Sequence, residues 1–247
     1  MSAAREPLPP PLPPETRTVG QLVAETINLY RHHFWPSLAL GLGPAGAAVG
    51  LTLIGGWWAL VFVLTVGALL MTASYLGALA IATGKRFERR ALAVGAAVGY
   101  LVFVPAPFLY SLFILPAVAW LGLFGLSVPA AVIERVGLRD ALRRGYQLGR
   151  ADYVHAAGSL ATLVIVAFLT ATVLFFVLRG ASELERSVAA FLSLLVISPI
   201  LFLGAALLYF DQAARDPTRR SDADVHHADQ PDRPGRADAE GEPRPSA

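Results

Sequence analysis

Five histidines, no cysteine and 18 carboxylates are the material for acid–base, nucleophilic or metal chemistry in this chain, and their spacing works against each. The missing thiol removes disulfides, thiolate nucleophiles, Cys-ligated zinc and iron–sulfur clusters together. The histidines fall as His32-His33, His155 and His226-His227, so no His-x-x-x-His pair shares a helix face. Two adjacent imidazoles without further ligands do not complete a coordination shell. His155, with Asp152 nearby, reads as a ring packed at an interface rather than a general base. No serine stands in a Gly-x-Ser-x-Gly turn, and no glycine-rich phosphate loop ends in Lys. The expectation is a non-catalytic protein with no catalytic, metal or cofactor site. What remains is a set of guanidiniums, Arg139, Arg143, Arg144 and Arg150, whose chemistry is attraction to anionic lipid at about 1 kcal/mol per side chain near the surface. The same residues also serve simply as an orientation signal. Nothing points to nucleic acid, because the basic residues flank apolar segments rather than a stacked aromatic surface.

The elements that must carry these side chains are written in the charge map. The 247 residues are 55% hydrophobic and 15% charged, against about 25% charged in ordinary soluble domains. Asp, Glu, Lys and Arg are absent from four stretches, 32–84, 91–133, 153–178 and 187–210, which make up more than half of the chain. A helix needs roughly 20 apolar residues to cross the bilayer core, so each of the first two stretches holds a hairpin and each of the last two a single span. No ten-residue alternation suggests a barrel, and backbone in lipid must satisfy its own hydrogen bonds. The fold class is therefore all-α, a polytopic membrane bundle of six transmembrane helices. The expected spans begin with 36–55 and 58–83, divided at Gly55-Gly56-Trp57-Trp58, and end with 154–178 and 187–210. Pro105, Pro107 and Pro116 put the second turn within 105–116, with room for an irregular piece. Trp35, Tyr153 and Tyr209 are expected to mark the membrane interface opposite Trp57 and Trp58. Gly46/Gly50 and Gly95/Gly99 have the spacing for close helix contact, expected within the chain.

Counting Lys and Arg orients the bundle. Segments 1–35, 84–90, 134–152 and the C-terminal tail hold three, four, five and six, while the connector 179–186 holds two and the hairpin turns none. With six spans all four rich segments fall on one side, which the positive-inside rule makes cytoplasmic, both termini included. The 19 Arg against a single Lys, Lys85, read as high-GC bacterial coding, so the expected location is a bacterial cytoplasmic (inner) membrane. The first 30 residues lack a signal-peptide pattern, and insertion is expected to be directed by the first span.

Residues 1–16, with Pro7 to Pro14 among them, read as a disordered Pro-rich tail, 17–215 as the membrane domain and 216–247 as a disordered charged tail. Two amphipathic helices are expected on the cytoplasmic side. Thr18 and Gln21 are spaced as a capping box, followed by Val19, Leu22, Val23, Thr26, Ile27, Tyr30 and Phe34 on one face. Over 138–150, Leu138, Ala141, Leu142 and Tyr146 form an apolar face with Arg139, Arg143 and Arg150 across from it.

These segments carry a resemblance. Arg17 to Leu22 with Leu29 to Trp35, then Pro129 to Glu134 with Gly137, Ala141 to Arg144 and Leu148 to Arg150, and finally Leu207 to Asp211, resemble the glycerophosphoryl diester phosphodiesterase membrane-domain family of bacterial six-span proteins. The resemblance covers roughly 17–215 and implies Tyr30, Arg31, Glu134 and Asp211 as motif polar positions. Gly145 stands where that family tends to have Ser, and Ala213 where an Arg commonly follows the closing Asp. Some relatives fuse this region to a catalytic barrel of about 250 residues, for which the 37 residues from Asp211 onward are expected to have no room. The expected function is that of a membrane protein contacting lipid, a membrane-protein partner or a second copy of itself. The alternative is a small permease or flippase-like transporter of a hydrophobic substrate, since Pro and Gly breaks permit a cavity where no ionisable side chain lies within the spans.

Overall fold

A computed structural model describes residues 18–151, 153–177, 179–180 and 182–215, all helical or in short connectors, with no strand among them. The Pro-rich segment 1–16, Asp152, the side chains of Tyr153 and His155, and the tail 216–247 with His226-His227 lie outside the described residues. Helix α1 runs over Val19–His32. It is followed by α2 Phe34–Leu53, α3 Trp57–Thr83, α4 Arg89–Leu112 and α5 Ile114–Ile133. Then come α6 Leu138–Ala151, α7 Tyr153–Val177 and α8 Glu183–Arg215. Five of these, α2, α3, α4, α5 and the stretch Glu183–Ala214 of α8, are long and apolar enough to cross a membrane. In α7 the apolar run Gly158–Thr170 is shorter.

The side chains are distributed for an apolar solvent. Leu184, Val188, Leu192 and Val196 form an exposed stripe at four-residue spacing along α8, and Ile165, Phe168, Leu169 and Val173 are exposed on α7. In water such contiguous apolar surface is a liability. In hydrocarbon it costs nothing, and the interior is then held by close packing and hydrogen bonds rather than by hydrophobicity. Helix α8 is the hub, touching α1, α2, α3, α6 and α7, while α4 lies between α3 and α5. Gly95 and Gly99 of α4 are sites of close approach, where an added Cβ would meet Val132 of α5 and Thr72 of α3. Tyr75, Phe103 and Phe202 stack at centroid separations of 6.2 to 6.5 Å in the middle of the bundle.

Prolines interrupt the spans, and neighbouring helices come up against carbonyls at or near the breaks. Pro44 has no N–H for the Leu40 carbonyl one turn earlier, and the Ser74 hydroxyl of α3 donates to that oxygen at 2.7 Å. Helix α4 is broken at Val104 and Pro105, and the Trp120 indole of α5 donates to the Val102 carbonyl at 2.9 Å. Pro199 likewise cannot bond the Leu195 carbonyl, and Gly41, where α2 itself is interrupted, lies against that carbonyl with no room for a side chain. The turn between α4 and α5 falls at Phe113, inside the expected 105–116 window. Helix α3 contains a π-helical turn over Val63–Gly67, with the Thr65 hydroxyl donating to the Val61 carbonyl at 2.7 Å.

Candidate functional site

One end of the bundle gathers the polar residues. The capping box at Thr18 is formed in both directions: the Thr18 N–H donates to Gln21 Oε1 at 2.8 Å and the Gln21 N–H to Thr18 Oγ1 at 3.4 Å. It starts α1 so that Leu22, Thr26 and Tyr30, spaced by four, are buried. Leu22 joins Leu208, Tyr209 and Ala213 of α8 with Leu126, Ala130 and Leu148 in one apolar cluster. Helix α1 is therefore docked on the end of α8 rather than resting on lipid alone, though Ile27 stays exposed. Burial raises the pKa of the Tyr30 phenol above its ordinary value.

Glu134 ends α5, its N–H donating to the Ala130 carbonyl at 3.0 Å. Its Oε1 accepts from Arg144 Nε at 3.2 Å and from the Tyr209 hydroxyl at 2.8 Å. One carboxylate oxygen thus ties α5, α6 and α8 together. Both charged side chains are about one-fifth exposed, 21% for Arg144 and 19% for Glu134. A charged partner in such a setting makes these bonds stronger than neutral ones. The Arg144 guanidinium also sits near the C-terminal end of α5, where the helix dipole favours a cation. The neighbouring Arg135 occupies the left-handed region at φ 55°, a position where glycine is usual after a helix, and reaches Glu88 at 3.7 Å across exposed surface.

The structure separates residues that look alike in the sequence. Arg139, Arg143 and Arg150 are exposed on the outer face of α6, and Arg143, Tyr146, Gln147 and Arg150 border a shallow surface recess. Arg144 is turned inward to Glu134 and is not part of that face. The buried face of α6 also differs from the expected one: it is Ala141, Gly145, Leu148 and Gly149, while Leu138 and Tyr146 are exposed. A Cβ on Gly145 would overlap the Ser127 hydroxyl and backbone, and one on Gly149 would lie 2.7 Å from the Gly122 carbonyl and 2.8 Å from that of Leu123. Helix α6 seats its backbone directly on α5 through small residues, and Tyr146 closes the edge by stacking on Phe124 at 5.7 Å. Gly145 has a steric reason to differ from Ser.

Of the four motif positions, Glu134 is in the cluster just described, Tyr30 is buried under α1, and Asp211 is fully buried beside Gln212 on α8. Arg31 is exposed on the outer side of α1. Tyr209, expected as an interface marker, is instead 2% exposed, because its hydroxyl finds a carboxylate inside the bundle. Trp35, Trp57 and Trp58 are exposed as belt residues would be. Among the described residues no group of three or more His, Cys, Asp or Glu is placed to hold a metal ion.

A second feature lies between the spans. A cavity of about 450 Å³, almost wholly apolar, is bounded by α2, α3, α4, α5, α7 and α8. Its wall includes Val63 and Gly67 of the π turn and Ala106, Pro107 and Tyr110 beyond the α4 break. Comparison of the chain with protein-family models, curated proteins and solved structures gives no match.

Proposed function

We propose that this chain is a non-catalytic, six-span protein of the bacterial cytoplasmic membrane, with both termini inside, that works by contact with lipid and with a membrane-protein partner or a second copy. The observation that carries the lipid part is the outward set Arg139, Arg143 and Arg150 on a helix whose other face is locked to α5. Those guanidiniums are free of the packing role that Arg144 takes, and they stand at the level where an anionic leaflet meets the bundle.

The contacts at this end support the topology. Glu88 meets Arg135, Glu134 meets Tyr209, and Leu22 packs with Leu148 and Tyr209. The basic segments around α1, the α3–α4 connector, α6 and the end of α8 are thereby on one side. Helix α7 leaves that side after α6 and packs along α8, whose C-terminal end returns to it. A 25-residue helix of roughly 38 Å is long enough for that crossing, which supports counting it as a sixth span beside the five longer apolar helices. The described parts of the three stretches that resemble the phosphodiesterase membrane-domain family converge on this same end, which supports carrying the resemblance as part of the proposal.

The test replaces Arg139, Arg143 and Arg150 together with Gln and leaves Arg144 in place. Native mass spectrometry from mixed lipid should find retained phosphatidylglycerol reduced about tenfold relative to phosphatidylethanolamine. Equal retention of both lipids by the variant and the parent would reduce this face to an orientation signal. The second reading, a permease for a hydrophobic or lipid-like substrate, is favoured by the interrupted α4 and the π turn bordering one cavity. Protein-dependent movement of labelled lipid across reconstituted vesicles distinguishes it.

A further inference from the structure

The cavity between the spans has dimensions and chemistry that select an occupant. From Val63 to Tyr75 its wall follows α3 for roughly 18 Å at about 1.5 Å per residue, and Phe103, Leu121, Phe202 and Leu208 complete the sides. Its volume, about 450 Å³, lies within the roughly 300–1,000 Å³ typical of small-molecule sites. Water would find no set of partners there, since an ordered buried water needs two to four polar groups. The Tyr75 hydroxyl, the main polar atom on the inner wall, is directed to the Ala205 carbonyl at 3.4 Å. A ligand with polar groups inside would leave them unpaired. Left empty, the walls would forfeit dispersion contacts along their length. Tyr110 is both part of the lining and exposed, so the space reaches the surface of the bundle past the α4 break, close to the α4–α5 turn at Phe113.

We propose that this cavity holds one acyl chain of a membrane phospholipid, admitted past Tyr110 with its headgroup left outside. The assignment rests on the membrane reading above but not on the basic face of α6, which is a different surface. Long, flexible and without polar atoms, an acyl chain matches an elongated dry space, and the bilayer supplies it at high concentration. An acyl chain already in the bilayer gains from such a site through closer packing rather than through leaving water.

The experiment uses the full chain in vesicles of phosphatidylglycerol and phosphatidylethanolamine, a fraction of the phosphatidylglycerol carrying a diazirine near the end of one acyl chain. Photolabelling should mark peptides containing 63–75, 103–126 and 201–208 at inward residues, as well as the outward stripe of α8. Ala117→Phe, which fills space from the buried wall, should lower the inward labelling severalfold and leave the outward stripe unchanged. Ala117→Leu, a smaller intrusion, should give an intermediate loss. Labelling confined to outward residues, or inward labelling indifferent to both substitutions, overturns the acyl-chain site while leaving the membrane reading intact. Inward capture of a polyprenyl diazirine in preference to the acyl probe overturns the choice of occupant. Absence of labelling on the α8 stripe as well would instead remove the membrane reading itself.

Discussion

Ser74 and Leu40 show how a single hydroxyl decides whether a proline is tolerable. Pro44 leaves the Leu40 carbonyl without its helical donor, and Ser74, almost fully buried, supplies one at 2.7 Å. Ser74→Ala should lower stability by about 1 kcal/mol, the scale of interhelical hydrogen bonds in membranes. In a Pro44→Ala background the same change should cost much less, because the restored N–H can bond Leu40 within the helix. Thermal unfolding of the four proteins in one detergent measures both numbers, and equal losses in the two backgrounds would contradict the argument. At this scale the sequence was least legible. Arg144 is chemically identical to Arg143, and only its position across the α5–α6 turn from Glu134 sets it apart. Tyr209 at a span end is compatible with either a headgroup belt or a buried hydrogen bond, and the deciding carboxylate is 75 residues away.

Elements were read better, because charge gaps, capping boxes and prolines act locally. Helices α2, α3 and the apolar stretch of α8 lie within a few residues of 36–55, 58–83 and 187–210, while 154–178 holds only the shorter apolar run Gly158–Thr170; Thr18 starts α1 as its spacing with Gln21 implies. The face of α6 was misread because a periodicity search follows large apolar side chains, whereas Ala141, Gly145 and Gly149 dock by having almost none. Close backbone approach is invisible to hydropathy. It is easily tested: Gly145→Ala places a methyl group in the Ser127 backbone and should destabilise the protein by about 1–3 kcal/mol, the cost of overpacking. Gly20→Ala, in a helix but with open space around the new methyl group, should be neutral or stabilising by up to about 1 kcal/mol. Melting temperatures that fall equally for both would place the effect of Gly145 elsewhere than in the α5–α6 seam.

For the molecule as a whole, the contacts make topology a question of parity. The loops holding Glu88 and Glu134 and the end of α8 are joined at one side, so every excursion from that side must return to it. Reporter fusions after Gly84, Arg135 and Arg215 should all behave as cytoplasmic, and fusions after Gly56, Phe113 and Gly180 as periplasmic. A cytoplasmic signal at Gly180 would mean that α7 does not cross and would remove the sixth span. The docking of α1 on the last turns of α8 also carries a consequence for biogenesis. The helix over 19–32 leaves the ribosome well before α8, and Leu22 meets Leu208, Tyr209 and Ala213 only after almost two hundred further residues have been made. Until then its apolar face lacks those α8 partners, so limited proteolysis should cut 19–32 more readily in nascent chains stalled before Leu208 than in the completed chain.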